Sequence, residues 1–454
     1  GHGMEAAPMK RVAFYTLGCK TNQYDSEAMK EKFIRKGYRI VDFREDSDVY
    51  VVNTCTVTNL SDRKSRQMIR KAHRRNPDAV IAVVGCYAQQ AADEVLSIPG
   101  VRVALGTKNR NRIVEYVEMA EATGAVINGV EDIRKTREFE DTPIVANDGK
   151  TRAVLKIQEG CSQFCTYCII PYVRGPIRSR KPESIRQEAE RLAGAGFREI
   201  VLTGIHIASY GRDLKNTDLL ALLHNIHEVK GIERIRLGSL EPTLLTEEFV
   251  KAVKLLPKVC RHYHISLQSG CNATLKRMNR RYTAEEYRQI VERLKREIPE
   301  AAVTTDIMVG FPGETDEEFA STYSFAESIG FSKIHVFQYS PRQGTPAASF
   351  ENQVPSEIKE HRSRELIALG CQLEQAFMEQ FVGREVTVLF EEEYAGKKGY
   401  LEGHTDHYIK VIAPGKPEME GEVLPVFVEE LEEGCLAGRV VCPEIRGHQG
   451  QKES

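Results

Sequence analysis

No apolar run in this sequence approaches the length that crosses a bilayer as a helix. The start lacks the pattern of a secretory signal. There is no internal repeat and no low-complexity segment, which argues against solenoid or fibrous architectures. No Ser/His/Asp constellation is visible, so ordinary nucleophilic hydrolysis is not expected. The net charge is only −2, so any nucleic-acid site must be a local basic patch rather than a bulk property. What remains is a 454-residue chain, 41% apolar and 28% charged, able to fold as two to four domains with sizeable cores. The expected compartment is the cytoplasm, with no membrane partner. Eleven cysteines there argue for metal or redox chemistry rather than a disulfide framework.

Residues 11–122 alternate strand-like runs ("RVAFYTL", "VYVVNT", "VIAVVG", "VRVAL") with helical patterns near 24–36, 58–75, 88–97 and 109–122. This alternation predicts an α/β domain with a mostly parallel sheet over residues 9–122. A polar linker follows. A second β/α series occupies residues 147–378, with six strand candidates at 153–158, 198–203, 233–239, 262–267, 302–309 and 333–339. Six units predict an incomplete barrel, short of the eight that close the full one. Residues 381–446 read as five short strands, the size of a small OB-like β-barrel.

The stretch "EGCSQFCTYCIIPYVRG", residues 159–175, places Cys161, Cys165 and Cys168 in a C-x3-C-x2-C array just after the first strand of the second series. Ligand sites of α/β folds gather beyond the carboxyl ends of strands. Three soft thiolates on a short loop can hold three irons of a 4Fe–4S cube and leave the fourth open. Zinc is the alternative, but no fourth ligand lies nearby at zinc-ribbon spacing.

The first domain holds three cysteines, Cys19, Cys55 and Cys86, each directly after an apolar run. If those strands are parallel and adjacent, the three thiols meet at one sheet edge. Each alone could be a buried structural thiol; together they predict a second three-ligand cluster.

On the Cys161–Cys168 array the chain resembles the radical S-adenosylmethionine (SAM) superfamily. With the three-cysteine domain in front and the small barrel behind, it resembles the methylthiotransferase family within it, over nearly the whole chain. "TLGCKTNQYDSE" (16–27), "GSLEP" (238–242) and "FQYSPRQGTPA" (337–347) are similar to the branch acting on tRNA threonylcarbamoyladenosine. The resemblance implies two 4Fe–4S clusters and SAM as cofactors. The SAM amino and carboxylate groups then complete the open iron of the core cluster, and SAM is cleaved to methionine and a 5′-deoxyadenosyl radical. It implies that Tyr167 packs beside the adenine, that Gly204 in "LTGIH" sits at the SAM-amine contact, and that Gln268 and Ser269 in "HISLQSG" reach the ribose. "LTGIH" lacks the acid that the family usually carries there. The resemblance further implies that a first SAM methylates a sulfur on the first-domain cluster. A second yields the radical that takes hydrogen from carbon two of the adenine, where the methylthio group then joins. The final barrel resembles the family's TRAM domain.

The partners implied are a tRNA anticodon stem-loop and an electron donor such as a flavodoxin or ferredoxin. "DRKSRQMIRKAHRR" (62–75) carries Arg63, Arg66, Arg70 and Arg74 at helical spacing, a candidate RNA-binding stripe or simply a solvated face. Arg174, Arg178, Arg180 and Lys181 add basic residues after the cluster loop, while Arg277, Arg280 and Arg281 could hold a SAM carboxylate. The final barrel, with fourteen acidic against seven basic residues over 381–446, cannot bind RNA by bulk charge. Either one face is locally basic, around Lys397, Lys398 and Lys410, or recognition is by stacking and shape, with Phe390, Tyr394 and Tyr408 as stacking candidates or core. The competing readings are a methylthiotransferase acting on isopentenyladenosine tRNA or on a ribosomal-protein aspartate, and a non-catalytic iron–sulfur electron carrier.

Overall fold

The computed structural model describes residues 9–18, 20–55, 59–133 and 151–441, with the backbone alone at 59–61. Cys19 and Cys442 lie outside the described residues.

The first sheet is built from β1 (Arg11–Thr16), β2 (Arg39–Val41), β3 (Val49–Thr54), β4 (Val80–Gly85), β5 (Val101–Leu105) and β6 (Ile127–Asn128). Its order is β2-β1-β3-β4-β5-β6, and every pairing is parallel. All residues of β3 and β4 are buried. This is why they read as continuous apolar runs: helices cover both faces of a parallel sheet. On one face lie α1 (Lys20–Arg35) and the helix Ile113–Thr123, and on the other α2 (Asn59–Arg75) and α3 (Cys86–Gln90). The single helix expected at 88–97 is two short ones, because Ala91 leaves the helical region at φ −140° and ψ 55°.

The second series contains β7 (Arg152–Lys156), the short antiparallel pair β8 (Gln158–Glu159) and β9 (Arg178–Ser179), and then β10 (Glu199–Thr203), β11 (Arg234–Leu237), β12 (His262–His264), β13 (Ala302–Val309) and β14 (Lys333–Gln338). Strands β11-β10-β7 form one parallel sheet and β12-β13-β14 another. Single bridges at Ile235–Val259 and Leu240–Ile265 join them into a six-stranded arc. Helices pack outside it: Ala153, Leu155, Ile200, Leu202, Ile235 and Leu237 face them in one apolar core. Strand alternation therefore turns Arg152, Glu199, Arg234 and Arg236 toward the lumen. Thr246, Thr283 and Thr315 each cap the helix that follows by accepting from the amide three residues on.

The third unit is a closed barrel ordered β15-β16-β17-β19-β18, from β15 (Glu385–Glu393), β16 (Tyr400–Thr405), β17 (Lys410–Pro414), β18 (Val423–Glu432) and β19 (Cys435–Val440). It docks on the amino ends of the core strands. Arg234 donates to the carbonyls of His404 and Thr387, Arg236 to those of Thr405 and Asp406, and Arg261 pairs with Asp406 at 2.7 Å. Among the described residues no helix is long and apolar enough to cross a membrane.

Candidate functional site

The first cysteine set is assembled by sheet order. Strands β1, β3 and β4 are neighbours, and each runs into a cysteine: Cys19 after β1, Cys55 after β3, and Cys86 opening α3. Cys55 and Cys86 are buried. The turns need glycine. Gly18 has φ +96°, and a Cβ on it would come within 2.8 Å of Cys55 Cβ; Gly85 has φ +103°, and a Cβ there would meet the Thr54 carbonyl at 2.7 Å. Polar side chains lock the three strand ends together. Asn22 Nδ2 donates to the Leu17 and Thr54 carbonyls at 2.6 and 3.0 Å, Asn53 Nδ2 to the Asn22 carbonyl at 3.0 Å, and Thr54 Oγ1 to the Val84 carbonyl at 2.7 Å. None of these three polar residues stood out in the sequence, although "NTC" and "CKTN" contain them.

The second set lies on an irregular loop between β8 and the helix Ile170–Arg174. The loop is braced from outside: Thr166 N donates to the Met278 carbonyl at 3.0 Å, Thr166 Oγ1 to the Arg277 carbonyl at 2.8 Å, and Ala347 N to the Thr166 carbonyl at 2.8 Å. Burial pushes the Cys161 thiol up to about 11 and the Cys168 thiol to about 12, with the neighbouring Cys165 adding to both. Without metal these thiols are therefore neutral, and iron would take the place of the proton. Donors already face the sulfurs: the Gln163 amide approaches Cys161 Sγ at 3.5 Å, and Arg280 Nη1 approaches Cys165 Sγ at 3.4 Å. Glu241 grips the Arg280 guanidinium through both oxygens, at 3.0 and 3.1 Å. This donor set fits an iron–sulfur cluster.

A cavity of about 210 Å³ opens beside this loop, lined by Tyr167, Cys168, Gln268, Asp306, Met308 and Tyr339 among others. Tyr167 stands edge-on to Phe311 with centroids 6.4 Å apart. Gln268 takes φ +68°, with its amide on the Asp306 carbonyl at 2.9 Å. Ser269 is buried, its hydroxyl 3.2 Å from that of Thr322. Gly204 packs on Gln158: a Cβ would come within 2.7 Å of Gln158 Oε1. The side chains of Asp306, Met308 and Tyr339 were not singled out in the sequence, although the alternation of 302–309 puts Asp306 and Met308 on one face.

A buried ionic cluster joins the two cysteine regions. From the first unit come Asp25 and Arg110; from the core come Lys156, Glu159 and Arg174. Lys156 Nζ lies 2.7 Å from Asp25 and 2.5 Å from Glu159, Arg174 lies 3.4 Å from both carboxylates, and Arg110 lies 3.5 Å from both. Against the desolvation that opposes them, the surrounding cations hold the Asp25 carboxyl below its usual range and that of Glu159 well below. Arg174 also donates to Asn22, beside Cys19 in sequence. Arg180 pairs with Glu188 at 2.8 Å. The expectation that Arg174, Arg178 and Arg180 face RNA is therefore corrected. They are 2%, 3% and 2% exposed; Arg174 and Arg180 reach Asp25 and Tyr24 of the first unit, while Arg178 holds the Arg174 and Pro176 carbonyls of its own loop. Arg277 is likewise engaged, with Glu318 at 2.6 Å.

On α2, Ser65, Ile69 and Ala72 are buried, while Arg63, Arg70 and Arg74 are exposed. Arg66 turns aside toward Glu94 at 3.7 Å and the Tyr87 hydroxyl at 3.5 Å. Asp62, at the helix start, pairs with Arg342 of the core at 2.9 Å. In the barrel Phe390 is buried, whereas Tyr408 is 39% exposed. The Lys20 ammonium lies 6.0 Å from the Tyr408 ring centroid: solvent reaches it, yet burial, then the charges of Arg236 and Arg152, lower its pKa to about 8.

The model of the Radical SAM superfamily matches residues 155–326, and that of Uncharacterized protein family UPF0004 matches residues 11–106. The chain is 45% identical over 447 residues to the threonylcarbamoyladenosine tRNA methylthiotransferase MtaB of Bacillus subtilis (strain 168), covering 97% of this chain and 99% of that protein. It is 41% identical over 422 residues to the protein of the same description from Aquifex aeolicus (strain VF5), covering 92% and 100%. Among solved structures it resembles a radical S-adenosylmethionine methyltransferase from Kitasatospora setae, with a TM-score of 0.56 at 15% identity, over 75% of this chain and 77% of that one.

Proposed function

The chain belongs to the methylthiotransferase family of radical SAM enzymes, and from that membership we propose that it replaces the hydrogen on carbon two of N6-threonylcarbamoyladenosine in tRNA with a methylthio group. When bound, two 4Fe–4S clusters and SAM supply the electron, the radical, the sulfur and the methyl group. Cys161, Cys165 and Cys168 would hold the core cluster, and Cys19, Cys55 and Cys86 the other. Tyr167 and Gln268 would line the SAM site, with Ser269 and Gly204 shaping its walls. We assign residues 9–122 to the first cluster, 147–378 to SAM, and 381–446 to RNA contacts.

The observation that carries the reading is the buried cluster of Asp25, Arg110, Lys156, Glu159 and Arg174. It fixes Asp25 and Arg110 of the first unit against both flanks of the Cys161–Cys168 loop, which supports two sulfur-ligand sets addressing one space. Two half-reactions on one base need that fixed proximity. An electron carrier has no use for it. Arg63, Arg70 and Arg74 would follow the RNA backbone, with Arg66 steadying their helix. The electron would come from a small reductase partner such as a flavodoxin or ferredoxin, in the cytoplasm.

The test is anaerobic incubation of reconstituted enzyme with SAM, sulfide, a reductant and tRNA carrying N6-threonylcarbamoyladenosine. Nucleoside mass spectrometry should show one methylthio group in place of one hydrogen on that nucleoside. Methylthiolation of isopentenyladenosine tRNA or of a ribosomal protein instead would contradict the substrate.

A further inference from the structure

Tyr408 carries backbone strain. It sits in the turn between β16 and β17 with φ +67°, a region that bulky residues rarely adopt. The turn is held by Tyr408 N on the Thr405 carbonyl at 3.0 Å and Ile409 N on Thr405 Oγ1 at 3.1 Å. Strain at an exposed aromatic asks what its placement achieves. The ring projects from the small barrel into the amino-end mouth of the core lumen. It stacks on His404 (4.5 Å between centroids, 16°) and His262 (5.6 Å, 9°). Around it stand the guanidinium groups of Arg236 at 4.7 Å and Arg152 at 5.3 Å, and the Lys20 ammonium at 6.0 Å.

The charges here do not balance. Lys20, Arg152, Arg234 and Arg236 supply four cations. Glu199, shared by the three arginines, and Glu391, on Arg152, supply two carboxylates. Among the described residues Lys20 has no hydrogen bond or ion pair; of the charges near it, those of Arg236 and Arg152 outweigh that of Glu199. In sequence, Lys20 directly follows Cys19. Three separate units contribute to it, as expected of a binding site formed between domains.

The substrate offers the matching chemistry. A threonylcarbamoyl group carries a free carboxylate and a hydroxyl on the N6 side of the base; a dimethylallyl group carries neither. We propose that Lys20 and Tyr408 bind the threonyl carboxylate and hydroxyl, with Arg152 and Arg236 setting the positive potential. The mouth thereby selects an anionic over an apolar N6 substituent. This proposal rests on the substrate assigned above.

The experiment compares two anticodon stem-loops on reconstituted holoenzyme without reductant. One carries N6-threonylcarbamoyladenosine; the other carries the same group with its carboxylate converted to a primary carboxamide. Fluorescence anisotropy should give about tenfold or greater preference for the acid, the scale of a charge-assisted contact. Lys20→Gln should shrink that preference to within about threefold and leave the amide form bound as in wild type, at unchanged iron content. Tyr408→Phe should lose part of the preference. Equal wild-type affinity for acid and amide would overturn the proposal, as would a Lys20→Gln defect shared equally by both RNAs. In either case methylthiolation of the acid form under turnover would leave the substrate assignment standing. Failure of that methylthiolation would instead contradict the assignment itself.

Discussion

The two cysteine sets proposed as cluster ligands are brought together by different routes. Cys161, Cys165 and Cys168 occupy eight consecutive residues, and local chain geometry holds them together. Cys19, Cys55 and Cys86 are spread over the first unit, and only the order β2-β1-β3-β4 makes their strand ends neighbours. The loop set should thus tolerate distant damage to the fold, whereas the sheet set depends on tertiary structure throughout. The Gly18 and Gly85 turns and the Asn22–Asn53–Thr54 bonds are where that dependence is concentrated.

Removing the loop set should have the largest effect. Cys161→Ala, Cys165→Ala and Cys168→Ala together should take the reconstituted protein from about eight irons to about four. They should also abolish 5′-deoxyadenosine formation, read by iron assay and chromatography. Retained cleavage would remove the loop from the chemistry.

Next comes the bond between the sets. Asp25→Ala leaves Arg110, Lys156 and Arg174 facing Glu159 alone, deep in the protein. Truncating one partner of such a buried network costs about 3–5 kcal/mol, and calorimetry should show a clearly lower melting temperature. Methylthio product should fall more than SAM cleavage, because only product formation needs both sites in register. Glu31→Ala, at the more exposed pair with Arg35 (3.5 Å), should cost less than about 1 kcal/mol. Equal effects of the two would mean that the buried cluster does not hold the units together.

The smallest effect expected is on RNA affinity. Arg63→Glu, Arg70→Glu and Arg74→Glu should weaken tRNA binding and flatten its dependence on salt by about 0.9 per lost phosphate contact. SAM cleavage without tRNA should not change. The same affinity and slope in this variant would make the exposed face of α2 an ordinary solvated surface.

What could be read from the sequence follows the same division. The cluster loop was legible because its signal is a short window. The core strands and helices were legible because the alternation of apolar strand runs with helical stretches is local too. The adjacency of β1, β3 and β4 could be stated only as a condition. Arg174 read as a basic surface residue because its acidic partner Asp25 lies 149 positions earlier. Tyr408 read as core or as a stacking residue, since only the docked barrel puts it beside His262, Arg152 and Lys20.

The central claim is that one set supports SAM cleavage while the other presents the sulfur. It is tested most directly by assaying both products in one protein with Cys19→Ala, Cys55→Ala and Cys86→Ala, loaded with its remaining cluster. The account predicts 5′-deoxyadenosine at a rate near that of wild type and no methylthiolated nucleoside. Methylthiolated tRNA at the wild-type rate would contradict it and reduce the first-domain cysteines to structural thiols.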